Sequence, residues 1–279
     1  MRLRLKVSSF IMTASNSTQT RTGTALVTGA SSGIGEAIAR QLAQARHNVI
    51  LVARNEAKLR NIAQELSRQF AVRADIVAMD LVSEDAARAL VRDLDRADVD
   101  VLINNAGYGL HGEFVDMDEA KLIGMLQLNV VSLTHLTRLL LPGMLRRRRG
   151  SILNVASTAG FQPGPSMAVY CATKAYVLLF SEALYSELAG SGVTVTTLCP
   201  GATRTGFDAT ANASKIKLFQ SRGVMDAETV ARLAVHGLLA GRRLVIPGLT
   251  NRLMAHSVGV MPRGLVLHVS RSLLSPAHG

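Results

Sequence analysis

Tyr170 and Lys174 stand four residues apart in Tyr170-Cys171-Ala172-Thr173-Lys174. On a helix this spacing puts a phenol and an ammonium on one face. A neighbouring cation favours phenolate, so such a pair can give a proton to a carbonyl oxygen or take one from an alcohol. Ser157 lies thirteen residues earlier, in Asn154-Val155-Ala156-Ser157-Thr158-Ala159-Gly160. A second group with chemical meaning is Thr28-Gly29-Ala30-Ser31-Ser32-Gly33-Ile34-Gly35. Glycines there permit a tight turn and a close approach of backbone to a pyrophosphate, which the N–H groups of a following helix can hold. The spacing is G-x-x-x-G-x-G, and its weight comes from standing between a strand and a helix.

These groups need a scaffold, and the hydrophobic pattern supplies one. Short β-branched runs predict strands at Ala25–Thr28, Val49–Ala53, Asp75–Met79, Val101–Asn104, Ser151–Val155, Val193–Leu198 and Leu244–Ile246. Helical periodicity fills the intervals at Gly33–Arg46, Glu56–Gln69, Glu84–Arg96, Glu119–Arg149, Met167–Ala189 and Asp226–Leu239. Strands without polar alternation are buried on both faces, so the expected class is α/β: a doubly wound, Rossmann-like parallel sheet with helices on both sides. We expect one catalytic domain over 23–250, preceded by a flexible arm over 1–22 and followed by a helical extension over 251–279. Met12 is an alternative start.

On this scaffold the motifs fall at carboxyl ends of strands, where open α/β sheets bind ligands. The second strand ends in Val52-Ala53-Arg54-Asn55, where a carboxylate would suit the ribose hydroxyls of NAD. Arginine there favours a 2′-phosphate, so NADP(H) is the expected cofactor, with NAD(H) possible; a solvated arginine is the plainer alternative. Asp80 follows the third strand, placed to meet an adenine amino group.

The chain has 279 residues, 48% of them hydrophobic, and a net charge of +11. Disorder is excluded by that apolar content. The excess charge sits in an acid-free start, in Arg146–Arg149, and in an acid-free stretch after Glu228. No aromatic-interleaved basic surface results, so nucleic acid is not an expected partner. The four arginines close a long helix and complement its dipole. Cys171 and Cys199 are too few for a disulfide framework, and the histidines, His111 among them, lack metal-ligand spacing. No metal is expected. A cytoplasmic protein is the default, with an organelle transit peptide a lesser possibility.

With these motifs in place, the chain resembles the short-chain dehydrogenase/reductase superfamily, of the classical type, from about Thr24 to Ile246. The resemblance implies a seven-stranded sheet of order 3-2-1-4-5-6-7. It implies cofactor contacts at Thr28, Gly29, Ser31, Ser32, Gly33, Ile34 and Gly35, with Arg54, Asp80 and Leu81 on the adenosine side. Asn105, Ala106 and Gly107 would border the cofactor, and Pro200, Gly201, Thr203 and Thr205 would meet its nicotinamide end. Asn129, Ser157, Tyr170 and Lys174 match the catalytic tetrad. In the implied mechanism Tyr170 protonates a carbonyl oxygen held by Ser157, while hydride comes from the cofactor. Lys174 binds the ribose and lowers the Tyr170 pKa, and Asn129 holds a water of a proton relay.

Substrate contacts are expected from Ser157 and Tyr170, with Tyr108, Phe161, Met167 and Phe207 as walls. Ile216, Leu218, Phe219 and Val224 would roof the pocket. That lining suits a small hydrophobic ketone, aldehyde or alcohol. The alternatives are an idle NAD(P)-binding sensor and a peripheral membrane reductase of lipid carbonyls. The family implies a homodimer or homotetramer through the helices at Glu119–Arg149 and Met167–Ala189. The extension, read as helices Arg252–Met261 and Gly264–Leu274 around Pro262, is expected to cover the domain or a subunit partner. A membrane-surface helix pair is the alternative.

Overall fold

The computed structural model describes residues 23–94, 98–207, 211, 213, 216–217 and 223–275. The expected arm over 1–22 lies outside them. Seven strands form one parallel sheet: β1 (Thr24–Thr28), β2 (Asn48–Ala53), β3 (Ala74–Ala78), β4 (Val99–Asn104), β5 (Gly150–Val155), β6 (Val193–Leu198) and, last in the chain, β9 (Leu244–Val245). Their order is β3-β2-β1-β4-β5-β6-β9, and every neighbouring pair is parallel. This is the order expected. Between β6 and β9 lies a second, two-stranded pairing of β7 (Thr203–Arg204) with β8 (Met225–Asp226).

Alternate residues of each strand enter different cores, as a period of two requires. Ala25, Val27, Val49, Leu51, Val101 and Ile103 join the core under α1 (Gly33–Gln44), α2 (Glu56–Phe70) and α7 (Ala227–Leu239). Leu26, Ile50, Val52 and Leu102 enter the opposite core, with α3 (Ala86–Asp93), α5 (Leu133–Arg147) and the end of α6 (Ala168–Glu187). Burial on both faces explains the unbroken apolar runs. Helix starts are marked by side-chain caps: Asn55 accepts from the N–H of Lys58, and Asp226 from that of Thr229.

The predicted helix Glu119–Arg149 is not uniformly α-helical. α4 (Glu119–Leu126) passes through a π-helical segment, Gln127–Ser132, into α5. A π turn accommodates an extra residue and rotates the side chains that follow, a device common at functional sites. Asn129 lies inside it. At the far end, Arg147 donates to Asp98 at 2.9 Å and to the Val99 carbonyl at 2.8 Å. Arg149 lies 3.6 Å from Asp100, and Arg148 donates to the Gly190 carbonyl at 3.2 Å. Most of the arginine run thus ties the end of α5 to neighbouring elements, which agrees with the structural reading of its charge.

The extension forms α8 (Leu249–Ser257) and α9 (Arg263–Leu274), which pack on the sheet domain through Ala255, Val266 and Leu274. α8 starts earlier than predicted because Gly248, at φ +88°, turns the chain into it.

One hydroxyl ties the two central strands together. Thr28, fully buried at the end of β1, donates to the Ile103 carbonyl at 3.1 Å and accepts from the N–H groups of Asn105 and Ala106, both at 3.0 Å. Losing it leaves two backbone donors unpaired beside the core, each costing about 1–3 kcal/mol. We therefore expect Thr28→Val, nearly equal in volume, to lower stability by about 2–4 kcal/mol in urea unfolding; a loss below about 0.5 kcal/mol would refute this role.

Candidate active site

β1 and β4 are neighbours, yet their connections leave the sheet in opposite directions, so a crevice opens beyond their carboxyl ends. A cavity of about 600 Å³ fills it. Gly29 and Gly33 adopt φ of +66° and +58°, left-handed values that favour glycine. Gly35 is required for another reason: a Cβ there would lie 2.3 Å from both the Gly29 carbonyl and the Asn105 amide. α1 can start against the sheet only without that atom. Ser32, the N-cap of α1, makes no side-chain capping bond, so the first-turn N–H groups are available to an anion. The turn therefore fits the pyrophosphate of a dinucleotide.

Ser31, Ser32, Gly33 and Ile34 line the cavity, as do Arg54, Asp80 and Leu81 at its far end. Arg54 is 78% exposed and 4.0 Å from Asp80, whose other oxygen accepts from the Val82 N–H at 3.0 Å. Lys58, in the first turn of α2, also lines this end. Sequence reasoning missed it, although Asn55 as a helix cap was the signal that would have placed Lys58 in the first turn of α2. Two cations at this end fit a phosphate on the ribose. Asn105, Ala106 and Gly107 form the floor, and Pro200, Gly201, Thr203 and Thr205 the opposite side. Three expected contact residues do not line the cavity: Thr28, Gly35 and Asn129 are consumed inside the fold.

Asn129 shows how. Its amide donates to the Tyr108 carbonyl at 2.9 Å and to the Thr173 hydroxyl at 3.1 Å, and its oxygen accepts from the Tyr108 N–H at 3.1 Å. Buried from solvent, it clamps the strand-end loop to α6 directly behind Gly107 and Lys174. Its side chain is thus committed to protein partners.

Ser157, Tyr170 and Lys174 meet in the cavity. Ser157 accepts from the Ala159 N–H at 3.1 Å and hydrogen-bonds the Tyr170 phenol. The Lys174 ammonium donates to the Val155 carbonyl at 2.8 Å and stands 5.8 Å from the centre of the Tyr170 ring. Lys174 was expected to lower the Tyr170 pKa, and here the balance is reversed. Burial pushes the phenol well above its usual value, and the Ser157 hydrogen bond offsets only part of this. Burial also lowers Lys174 to about 8. A full ammonium so enclosed is expensive, and its backbone partner recovers part of the cost.

Apolar residues surround this triad. The Tyr170 and Phe207 rings lie 5.3 Å apart, in space left by Gly109, where a Cβ would be 2.7 Å from Phe207. Phe161, Met167 and Tyr108 line the cavity as expected, with the Tyr108 hydroxyl bonded to the Lys121 carbonyl. Of the expected roof, Ile216 is buried in the cluster around Tyr170 without lining the cavity, and Val224 is half-buried and outside it. Leu218 and Phe219 lie outside the described residues. A wall that sequence reasoning missed comes from the extension: Met254 and Ala255 of α8, Val258 at its C-terminal cap, and Leu273 and Leu274 of α9 face the cavity. The His111 imidazole bonds the Leu274 carbonyl at 3.0 Å and anchors that end. Cys171 and Cys199 are free and buried, and burial raises their thiols to about 11 and about 12.

Comparison with known proteins bears on this arrangement. Residues 23–216 match the short chain dehydrogenase family. The chain belongs to that family. An uncharacterized oxidoreductase of Staphylococcus epidermidis is 35% identical over 207 residues, covering 74% of this chain and 89% of that one. The very-long-chain 3-oxoacyl-CoA reductase of Bos taurus is 36% identical over 180 residues, 63% of this chain and 58% of the bovine protein. Among solved structures, a short-chain dehydrogenase from Sphingobium yanoikuyae in complex with NADPH superposes with a TM-score of 0.77 at 32% identity, covering 87% of this chain and 94% of that one. A bulky-bulky ketone specific alcohol dehydrogenase from Comamonas testosteroni gives 0.74 at 31% identity, with the same coverage of both chains. This short-chain dehydrogenase is thus an oxidoreductase of the alcohol–carbonyl class that uses a nicotinamide cofactor.

The lowered Lys174 pKa is directly measurable. With the base depressed, the ammonium holds below about pH 8 and is lost above it. Lys174 amine resonances, assigned by difference from a Lys174→Arg variant, should titrate near pH 8. A midpoint above about 10, the ordinary lysine value, would contradict the buried environment.

Proposed function

We propose that this protein is an NADP(H)-dependent carbonyl reductase for bulky hydrophobic ketones or aldehydes, with Tyr170 as proton donor. The observation that carries the reading is the meeting of Ser157, Tyr170 and Lys174 in the cavity that also holds the glycine turn and Arg54. Bound NADPH supplies a hydride to the carbonyl carbon. Ser157 donates a hydrogen bond to the carbonyl oxygen and orients it. Tyr170 then passes its phenolic proton to that oxygen as negative charge develops there. Burial holds the phenol above its usual pKa, so it meets the carbonyl oxygen as a protonated donor.

Lys174 holds the cofactor ribose and faces Tyr170 with its charge, and Asn129 is a positioning residue that keeps Gly107 and Lys174 in register. Arg54 and Lys58 take the 2′-phosphate, while Asp80 is left for the adenine. The apolar surroundings of Tyr170 exclude water from the proton donor and favour a substrate with large apolar substituents. The NADPH-bound and bulky-ketone relatives support the same reading, at the level of class. Exposed Ile123, Val131, Tyr176 and Leu179 on α4, the π segment and α6 support assembly of copies through those helices.

Two substitutions test the assignment. Tyr170→Phe should lower kcat for ketone reduction by about 10²–10⁴-fold with NADPH affinity nearly unchanged; full turnover would remove Tyr170 from the mechanism. Arg54→Asp should weaken NADPH binding about 10–100-fold more than NADH binding. Equal losses for the two cofactors would show that Arg54 does not read the phosphate.

A further inference from the structure

The C-terminal helices carry more apolar surface than the fold consumes. α9 buries a single stripe, Val266, Ser270 and Leu274, while Leu265, Leu267 and Val269 beside it stay exposed. α8 has two apolar sides. Met254, Ala255 and Val258 face the cavity, but Leu249 and Leu253, one turn apart, are 71% and 64% exposed. Val260, in the turn between the helices, is 85% exposed. Among these leucines and valines stand Arg252, Arg263 and Arg271, all exposed, and the chain has no Asp or Glu after Glu228.

We propose that the outward side of α8, the α8–α9 turn and α9 docks on an anionic lipid bilayer. Apolar side chains enter the headgroup boundary and the arginines meet lipid phosphates, the pairing that holds interfacial helices. Charge decides between this occupant and a second copy of the chain. A twofold contact sets the same patch against itself, so cations would oppose cations with no carboxylate to answer them. An anionic membrane supplies the missing charge. The exposed apolar residues of α4 and α6 leave a separate face for a second copy.

The inner sides of the same helices wall the catalytic cavity. Resting on the carbonyl-reductase reading above, this makes the substrate an apolar-chain carbonyl compound drawn from the lipid phase.

The full-length protein with NADPH should co-sediment with phosphatidylcholine vesicles containing about one-third phosphatidylglycerol. Binding to pure phosphatidylcholine should be about tenfold weaker, and added salt should weaken the anionic binding. The double variant Leu253→Asp, Val260→Asp should lose vesicle binding about tenfold or more and keep its NADPH oxidation on a water-soluble ketone. Absence of binding to the anionic vesicles, or binding unchanged in the double variant, overturns the proposal. So does a wild-type oligomer, seen by sedimentation velocity, that the same two substitutions dissociate. Failure of the reductase reading would show separately, as no NADPH oxidation on any soluble ketone whatever the vesicles do.

Discussion

The carboxyl ends of β1 and β4 are held together by a few hydrogen bonds, and the rest of the site depends on them. Thr28 receives two backbone N–H groups from the start of the Asn105-Ala106 loop, and Asn105 returns its amide to the carbonyls of Thr28 and Gly29 at 2.9 and 3.2 Å. This exchange sets the glycine turn against the loop after β4. The floor of the cavity and its anion-binding rim are therefore one rigid piece. A parallel sheet places such a switch point once, and a dinucleotide site follows from it. Deeper in the sheet, Asn104 donates to Asn154 at 2.8 Å and to Thr137 at 3.0 Å, and Asn154 donates to Ser181 at 2.9 Å. That buried chain joins β4, β5, α5 and α6, and so fixes the helix that carries Tyr170 and Lys174 against the strand that leads to Ser157.

Within this frame, burial governs the chemistry more than any single charge does. Tyr170 and Lys174 share one face of α6, as their spacing demands, and both lie under an apolar cover. Burial raises the acid and lowers the base, so each moves toward its neutral form. The Ser157 hydroxyl and the Val155 carbonyl work against that drift. The result is a protonated phenol beside a lysine whose pKa is lowered to about 8.

The extension belongs to the same construction. Leu274 packs into the cluster that contains Tyr170 and Phe207, and a Cβ on Gly164 would lie 3.2 Å from its side chain. The end of the described chain thus helps to keep Tyr170 dry. Apolar residues of these helices face the cavity, and the arginines of this acid-free tail stand exposed on them.

The glycine turn, the Tyr170/Lys174 spacing, Ser157 and the alternation of elements were legible because each is a local pattern: a period of two, a period of 3.6, or a turn that only glycine can make. Most predicted strands fall within a residue or two of those observed for the same reason. What lay out of reach depends on contacts between distant parts of the chain. Thr28 is a clasp because Asn105 lies across it, 77 residues on. Asn129 is a clamp because a π turn aims it at Tyr108. The wall made by Leu273 and Leu274 exists because His111 bonds a carbonyl 163 residues away. The residues by themselves determined which atoms can transfer a proton and bind a phosphate. Only the tertiary structure decided how dry those atoms are and what encloses them, because solvation is a property of all the neighbours together.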